Sequence, residues 1–315
     1  MVFLLLKTST NLSLSLIDFL IYNYDEVIYM DEQWLKELPL TEIISVTPVG
    51  GGDVNQAYKL TTSDDTYFLL VQPNHDADFY AGEIAGLEEF ATANILAPRV
   101  IANGEIHGDA YLLITYLSNG IGNQADLGRL VAKLHRHHNP DGTFGFDTDY
   151  EGTAITFDNS WTESWSDLFI NRRLDKLKDE IIKQHLWSAA ELAEFNHVRQ
   201  IIINQLTDHK SEPSLLHGDL WGGNYLFTDI GQPALIDPAA IYGDREFDLG
   251  VTTVFGGFDS DFYKAYNKAY PLSEGADQRM KFYRLYYLMV HLVKFGDMYA
   301  NSVQSEMNQI VRNLG

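Results

Sequence analysis

The chain has 315 residues, no cysteine, and 44 acidic against 22 basic residues, which gives a formal net charge of −22. The absence of cysteine excludes disulfides, thiolate catalysis and cysteine-ligated zinc. A surface with this much negative charge repels nucleic-acid phosphates and anionic lipid headgroups. We therefore expect neither nucleic acid nor membrane as a partner. A nucleotide site stays possible, because Mg²⁺ and backbone N–H groups neutralise phosphate locally.

The first 29 residues contain the one segment that suggests a membrane. Its apolar stretch, residues 12–22, contains Asp18 and is too short to span a bilayer. A signal peptide would start with basic residues and end at a small-residue cleavage site, and this segment has only Lys7 and no clear site. We therefore predict an N-terminal extension, residues 1–29, outside the core of a cytoplasmic protein.

The next part of the chain is rich in short apolar runs that predict strands. A glycine-rich turn at residues 50–53 joins the first two runs and predicts a hairpin. One helix is expected among them, at Phe79–Ala91, from its apolar stripe. The predicted strands are Ile43–Val49, Ala57–Thr61, Tyr67–Val71 and Tyr111–Leu117.

After Asn119 the pattern becomes mostly helical. Asp126 is a candidate N-cap for the first of these helices. The predicted helices are Asp126–His138, Trp161–Leu177, Ala189–Leu206 and a C-terminal helix around 282–293, with short strands at Tyr225–Thr228 and Ala234–Ile236. This change of pattern predicts two lobes, residues 30–118 and 119–315, with a hinge near 115–119.

The motif HGDLWGGN, followed by IDP, carries the strongest chemical signal. Asp219 and Asn224 are separated by four residues, and Asp237 ends the next predicted strand. Phosphoryl transfer needs a carboxylate that orients the attacking hydroxyl and oxygen ligands that hold Mg²⁺. These three side chains supply both, in the order found in kinase catalytic loops. Each part alone is weak, but together they predict a phosphotransferase.

HGDLWGGN, IDPAAIYGDREFDLG and the late segment LYYLMVHLVKFG resemble the fructosamine (ketosamine) kinase family, within the aminoglycoside and choline phosphotransferase group. The resemblance covers about residue 46 to the C-terminus. It implies an α+β, bilobal protein-kinase-like fold, with a small antiparallel sheet and one main helix in the N-lobe and a larger, mostly helical C-lobe. It also implies ATP and Mg²⁺ as cofactors and a sugar-amine or glycated amine as substrate.

The resemblance also implies roles for individual residues. Asp219 matches the catalytic base, and Asn224 and Asp237 match the metal ligands. Trp221 matches a wall of the sugar site, although core packing explains a tryptophan equally simply. The residues that match nucleotide-binding positions are Gly51, Gly52, Asp53 and Asn55 in the glycine hairpin, Glu83 in the helix, and Thr115, Tyr116 and Leu117 in the hinge.

The third strand departs from the family pattern, because Leu70 stands where a lysine normally pairs with the helix glutamate. Losing one charge-assisted hydrogen bond of about 1.5–3 kcal/mol predicts a weakened kinase. Lys59 has the same strand parity as Ala57 and is a candidate replacement. The alternative is a solvent-facing lysine.

Other polar clusters have structural explanations as well as functional ones. Three histidines, His135, His137 and His138, end a predicted helix and suggest either metal binding or helix capping. Arg172 and Arg173 suit an anionic substrate or a solvated helix face. The acidic residues of GDREFD suggest a second metal site, but by resemblance Asp248 supports the catalytic loop through backbone N–H groups. His291 is expected to be a buried, hydrogen-bonded histidine.

Three functions therefore remain open from the sequence. The first is an ATP-dependent ketosamine kinase that repairs glycated amines. The second is a non-catalytic pseudokinase that binds nucleotide as a regulator or scaffold, which Leu70 alone suggests. The third keeps the kinase chemistry but changes the acceptor to an aminoglycoside or a choline-like alcohol.

Overall fold

The computed structural model describes residues 32–50, 56–151 and 155–315. The predicted extension, residues 1–29, lies outside the described residues. So do four hairpin residues that were predicted to face the phosphates: Gly51, Gly52, Asp53 and Asn55.

A five-stranded antiparallel sheet with strand order β1-β2-β3-β5-β4 forms the first part of the structure. Its strands are β1 (Ile43–Val49), β2 (Gln56–Thr62), β3 (Thr66–Gln72), β4 (Val100–Ile106) and β5 (Asp109–Thr115). Four of these confirm predicted strands to within two residues at each end. The prediction missed β4, and β5 ends two residues earlier than expected.

The two faces of the sheet pack against different cores, because side chains alternate along each strand. On one face, Leu60 and Leu69 pack with Trp34 in a small separate core. On the other face, Phe68 and Leu70 pack against the main core. Leu70 therefore faces the body of the protein rather than solvent.

The first helix contributes Trp34 to the small core, and the other helices surround the main core. The helices are α1 (Glu32–Lys36), α2 (Ala81–Thr92), α3 (Gln124–His135), α4 (Asp175–Lys183), α5 (Ala189–Asp208), α6 (Glu246–Thr252), α7 (Ser260–Ala269), α8 (Ala276–Phe295) and α9 (Ala300–Leu314). A π-helical segment, Asp167–Leu174, leads into α4, and 3₁₀ turns at Ala77–Tyr80 and Gly296–Tyr299 precede α2 and α9.

Short strand pairs between these helices carry the loops of interest. They are β6 (Tyr150–Glu151) with β7 (Thr156–Phe157), β8 (Ser214–Leu216) with β11 (Ile241–Gly243), and β9 (Tyr225–Phe227) with β10 (Pro233–Leu235). The architecture confirms the predicted α+β class with a small antiparallel sheet and a larger helical part. The lobe boundary at residues 118 and 119 stays a prediction.

Two details of the helices differ from the predictions. The N-cap of α3 is Asn123, whose side chain accepts the Asp126 N–H at 2.9 Å, so Asp126 lies inside the helix. The helix predicted from Trp161 starts at Trp165 and takes π-helical form from Asp167 to Leu174. Within the described ranges, no helix is both long enough and apolar enough to cross a bilayer.

Candidate active site

The loop after β8, His217 to Asn224, is held by a buried carboxylate on α6. Asp248 accepts the N–H of His217 at 2.7 Å and that of Gly218 at 3.0 Å. Its side chain is fully buried, and His135 contacts the same carboxylate at 3.1 Å. Hydrogen bonds to a buried charge are stronger than those between neutral groups. The observed contacts are those expected from sequence for Asp248, which fixes the start of the loop.

The same loop is joined to the segment that follows β10. A ring nitrogen of His217 contacts the Ile236 carbonyl at 2.9 Å, and the Ala239 N–H donates to the His217 carbonyl at 2.9 Å. Gly218 has φ +82°, and a Cβ at that position would lie 1.8 Å from the Ala239 carbonyl oxygen. Only glycine fits this conformation and this approach. The two loops are thus fixed relative to each other.

Two polar side chains, those of Asn224 and Tyr287, donate to Asp219. The Asn224 amide nitrogen donates to Asp219 Oδ2 at 3.1 Å and to the Asp219 carbonyl at 2.8 Å. Tyr287, on α8, donates its hydroxyl to Asp219 Oδ1 at 2.7 Å. Because the Asn224 amide nitrogen is turned toward Asp219, the Oδ1 atom of Asn224 remains to bind a cation.

Asp237 lies next to this group, in a conformation that residues other than glycine seldom adopt. Its φ is +54°, in the left-handed region. Such strain persists where the surrounding structure enforces it, and it is common at functional sites. Desolvation in the cleft raises the pKa of Asp237, the nearby Asp219 raises it further, and His217 lowers it. Crowded carboxylates of this kind are stabilised by a bound cation.

Helix α2 approaches Asp237 closely because Gly86 has no side chain. A Cβ on Gly86 would meet both Pro238 and Ala240 at 3.1 Å. One turn earlier on the same helix, Glu83 is desolvated in the cleft. This desolvation, followed by repulsion from Asp237, raises the pKa of Glu83 to about 8. The raised pKa favours the neutral form of Glu83.

A neutral Glu83 needs no lysine partner, which bears on the absence of a lysine from the third strand. Leu70 lies opposite Ala57 on β2 and Leu112 on β5, and it faces the main core. A Lys⁺–Glu⁻ pair and a Leu–neutral Glu pair have the same net charge. The cleft thus loses the lysine without gaining an ionised, unpaired Glu83 carboxylate, so the desolvation penalty expected for stranding an ion is avoided.

Lys59 shares the parity of Ala57, as predicted, but lies toward the other end of the strand. It pairs with Phe68, two residues from the Ala57–Leu70 pair. Its amino group lies 4.5 Å from the centre of the Tyr116 ring, in a cation–π arrangement. Two strand residues span about 7 Å, so Lys59 is placed at the hinge rather than beside Leu70.

The predicted hinge residues differ in how their N–H groups are used. Thr115 donates its N–H to the Arg99 carbonyl at 2.9 Å, and Tyr116 donates to the Thr66 carbonyl at 3.4 Å. The Leu117 N–H has no protein acceptor among residues 32–50, 56–151 and 155–315. Of the three, Leu117 is the one that can donate to a ligand.

Two aromatic residues adjoin Asp219: Tyr287 contacts it through its hydroxyl and Trp221 through its backbone N–H. Trp221 is 40% exposed, so it is not a core residue. Its ring lies over Gly223, where a Cβ would come within 2.3 Å of the indole. Phe255 and His291 lie on the far side of Tyr287, with ring centroids 5.8 and 4.7 Å from the Tyr287 ring.

Sequence patterns did not identify Tyr287. It lies on α8 among apolar side chains, and 7% of its surface is exposed, so its periodicity looks like that of a core residue. The one available signal was its distance of four residues from His291, whose ring nitrogen contacts the Tyr287 carbonyl at 2.9 Å. That contact gives His291 the hydrogen bond expected of it.

The three histidines at the end of α3 point to different parts of the protein, so they do not form a metal cluster. Their partners are Asp248 and Tyr266 for His135, Glu89 for His137, and Tyr270 for His138. Arg172 and Arg173 do not lie on a purely solvated helix face. Arg173 is buried and donates to Asn159, and Arg172 pairs with Asp158 and Asp167.

Asp244 and Glu246 of GDREFD come together with His209 and could be mistaken for a metal site. Both carboxylates already accept protein donors. Arg279 binds Glu246 through two nitrogens, at 2.7 and 2.8 Å. The donors to Asp244 are Ser211 at 2.7 Å, Tyr283 at 3.2 Å and the backbone N–H of Glu246 at 2.9 Å. This network joins α6 to α8.

Comparison with known proteins gives the family that the chain matches. The family model for fructosamine kinase matches residues 30–313. A probable ketoamine kinase from Staphylococcus aureus is 57% identical over 285 residues, which cover 90% of this chain and 99% of the relative. The chloroplastic protein-ribulosamine 3-kinase of Arabidopsis thaliana is 31% identical over 288 residues, covering 90% of this chain and 87% of that protein.

Solved structures show the same fold. A protein from Haemophilus somnus, provisionally described as a fructosamine-3-kinase, superposes with a TM-score of 0.75 at 26% identity, covering 86% of this chain and 92% of that one. A thermostable mutant of an aminoglycoside phosphotransferase, solved with ADP and hygromycin B, superposes with a TM-score of 0.64 at 17% identity, covering 91% of this chain and 99% of that one.

Proposed function

We propose, since the chain belongs to the fructosamine kinase family, that it transfers the γ-phosphoryl group of ATP to a sugar hydroxyl of a ketosamine. The observation that carries this proposal is the meeting of Asp219 and Asn224 beside Asp237, on loops that Asp248 and His217 hold in place. Relatives named as ketoamine and ribulosamine kinases supply the acceptor class.

In this mechanism Asp219 orients the acceptor hydroxyl and takes its proton as the hydroxyl oxygen bonds to the γ-phosphorus. The bond from the γ-phosphorus to the bridging oxygen breaks, and ADP leaves. Such transfer depends mostly on positioning and on charge stabilisation. The anchored loop supplies the positioning, because Asp248 fixes the start of the loop and the Asn224 amide donates to Asp219 Oδ2.

Asn224 and Asp237 would hold Mg²⁺. Their remaining oxygens are the hard donors that Mg²⁺ prefers, and Asp237 lies in a carboxylate-rich environment that a cation relieves. Bound Mg²⁺ would neutralise charge on the phosphates. The protein keeps these two side chains on adjoining loops, joined by the Ile236 N–H, which donates to the Asn224 carbonyl at 3.1 Å.

The nucleotide would lie between the sheet and the loops. The Leu117 N–H is the hinge group that can donate to adenine, and Thr115 and Tyr116 would flank it. Gly51, Gly52, Asp53 and Asn55 would cover the phosphates, on the family resemblance alone. Glu83 would act as a neutral hydrogen-bonding group rather than as a lysine partner.

Trp221 would stack against the acceptor sugar, because an exposed aromatic face suits the C–H face of a sugar ring. We also propose that the protein works in the cytoplasm. The organisation in two lobes, divided at residues 118 and 119, would place the acceptor on the side of the helical part.

The two alternatives have less support. A pseudokinase would have no need for Asp219, Asn224 and Asp237 in one place. An aminoglycoside phosphotransferase shares the fold at only 17% identity, whereas the ketoamine kinase relative reaches 57%. The sequence identity therefore favours the ketosamine acceptor.

A direct assay distinguishes these functions. The protein is incubated with Mg·ATP and, in separate reactions, a ribulosamine, a fructosamine, an aminoglycoside and choline, and products are identified by mass spectrometry. We expect a phosphorylated ketosamine from the wild type and none from Asp219→Ala. Asp229→Ala, which removes an exposed aspartate on the turn after β9, is the matched control. Binding of ATP without transfer to any acceptor would instead favour the pseudokinase.

A further inference from the structure

Both oxygens of the Asp219 carboxylate carry a donor in this structure. Asn224 occupies Oδ2, on the side of the proposed metal, and the Tyr287 hydroxyl occupies Oδ1 at 2.7 Å. A base that is to take a proton from an acceptor hydroxyl needs an oxygen directed at that hydroxyl. Oδ1 is the remaining candidate, and Tyr287 already holds it.

Tyr287 is largely buried beside Asp219 but lies next to an exposed aromatic side chain. Its ring is 7% exposed and lies beside Phe255, which is 45% exposed, and His291. Burial and the nearby Asp219 raise the pKa of the Tyr287 phenol, so it stays a neutral donor. An acceptor hydroxyl that donates to Asp219 Oδ1 would therefore take the position that the Tyr287 hydroxyl holds in this structure.

We propose that the Tyr287 hydroxyl holds the place of the acceptor hydroxyl on Asp219 Oδ1, and so keeps Asp219 from activating water while the acceptor is absent. This inference rests on the proposed function. A water molecule at that position would lose its proton to Asp219 while its oxygen bonds to the γ-phosphorus. The bond to ADP would break, giving inorganic phosphate and no sugar product. Tyr287 is thus a positioning residue, acting through Asp219.

The Tyr287→Phe variant tests this, because it keeps the ring and removes only the hydroxyl. With Mg·ATP alone, we expect ADP to form about tenfold faster than in the wild type, the effect of freeing one charge-assisted hydrogen bond. With a ketosamine added, we expect a lower KM for the acceptor, since nothing must be displaced, and little change in kcat. A merely structural role would raise neither ATP hydrolysis nor acceptor affinity.

Tyr286→Phe is the matched control, because Tyr286 lies on the same helix and is also 7% exposed but packs among Phe157, Phe169 and Phe247. The gain in hydrolysis must disappear in Tyr287→Phe/Asp219→Asn. Tyr287→Met, which also lacks a hydroxyl, replaces the phenylalanine variant if that one does not fold.

Acceptor-free hydrolysis that stays at the wild-type and Tyr286→Phe level in the folded variant overturns the inference. That comparison needs only Mg·ATP, so it can be made even if no ketosamine is phosphorylated. Failure of the proposed function would appear separately, as the absence of any phosphorylated ketosamine with the wild type.

Discussion

Replacing Glu83 by glutamine tests how the cleft tolerates the absence of the strand lysine. Glutamine has nearly the shape of a protonated glutamic acid and cannot ionise. The pKa of Glu83 is about 8 in the folded protein, against an ordinary value of 4.5. The folded wild type therefore keeps a proton that the unfolded chain releases as the pH rises through 4.5, and its stability falls until the pH passes about 8.

The magnitude follows from this difference in proton binding. The free energy of unfolding of the wild type should fall, relative to Glu83→Gln, by up to about 1.4 kcal/mol per pH unit within that window. Between pH 5.5 and 7.5 the glutamine variant should thus gain on the order of 2 kcal/mol relative to the wild type. Below pH 4.5 the difference should no longer depend on pH.

Urea unfolding at half-unit pH steps, without divalent cations that would bind Asp237, measures this difference. Glu88→Gln removes an exposed carboxyl from the same helix and is the matched control. A stability difference between wild type and Glu83→Gln that is constant from pH 5 to 8 would refute the reasoning. In a separate assay with Mg·ATP at pH 7, we expect Glu83→Gln to retain kinase activity within a few-fold, because one neutral group replaces another.

Three further predictions concern the cleft and its anchors. Leu70→Lys places an ammonium group on the strand, so the KM for ATP should fall about tenfold. An unchanged or higher KM would contradict this prediction. Lys59→Met should change ATP turnover less than twofold, because Lys59 contacts Tyr116 at the hinge. A large loss of turnover would instead indicate that Lys59 replaces the strand lysine. Asp248→Asn should lower the free energy of unfolding by about 2–4 kcal/mol in denaturant titrations and reduce kcat, because one buried N–H of the loop would face an amide NH₂. Unchanged stability would show that the loop has another anchor.

Local patterns were enough for most of the fold. The apolar run at Tyr67–Val71 predicted β3 to within one residue at each end, because a strand buried on both faces has no polar alternation to confuse it. Strand β4 was missed because its sequence, VIANGEI, mixes exposed polar residues with a glycine and is strand-like only through pairing with β5. The cap at Asn123 was missed because Asp126, three residues later, is an equally good cap by type.

The site was predictable where chemistry fixes both residue type and spacing. The spacing of Asp219, Asn224 and Asp237 sufficed to predict that they meet, and the functional roles of these side chains stay predictions. Tyr287 was not predictable, because its role depends on how α8 packs against the loop. The parity argument placed Lys59 on the correct face, but strand alternation says nothing about position along the strand.

The central claim is that Asp219 accepts the proton of a ketosamine hydroxyl while Asn224 and Asp237 hold the Mg²⁺ that accompanies ATP. Single-turnover transfer from Mg·ATP to a ribulosamine, compared between wild type and Asp219→Asn with ATP affinity measured in parallel, tests it most directly. The account predicts that transfer falls by at least about a hundredfold while ATP affinity changes little. Transfer within a few-fold of the wild-type rate would contradict it.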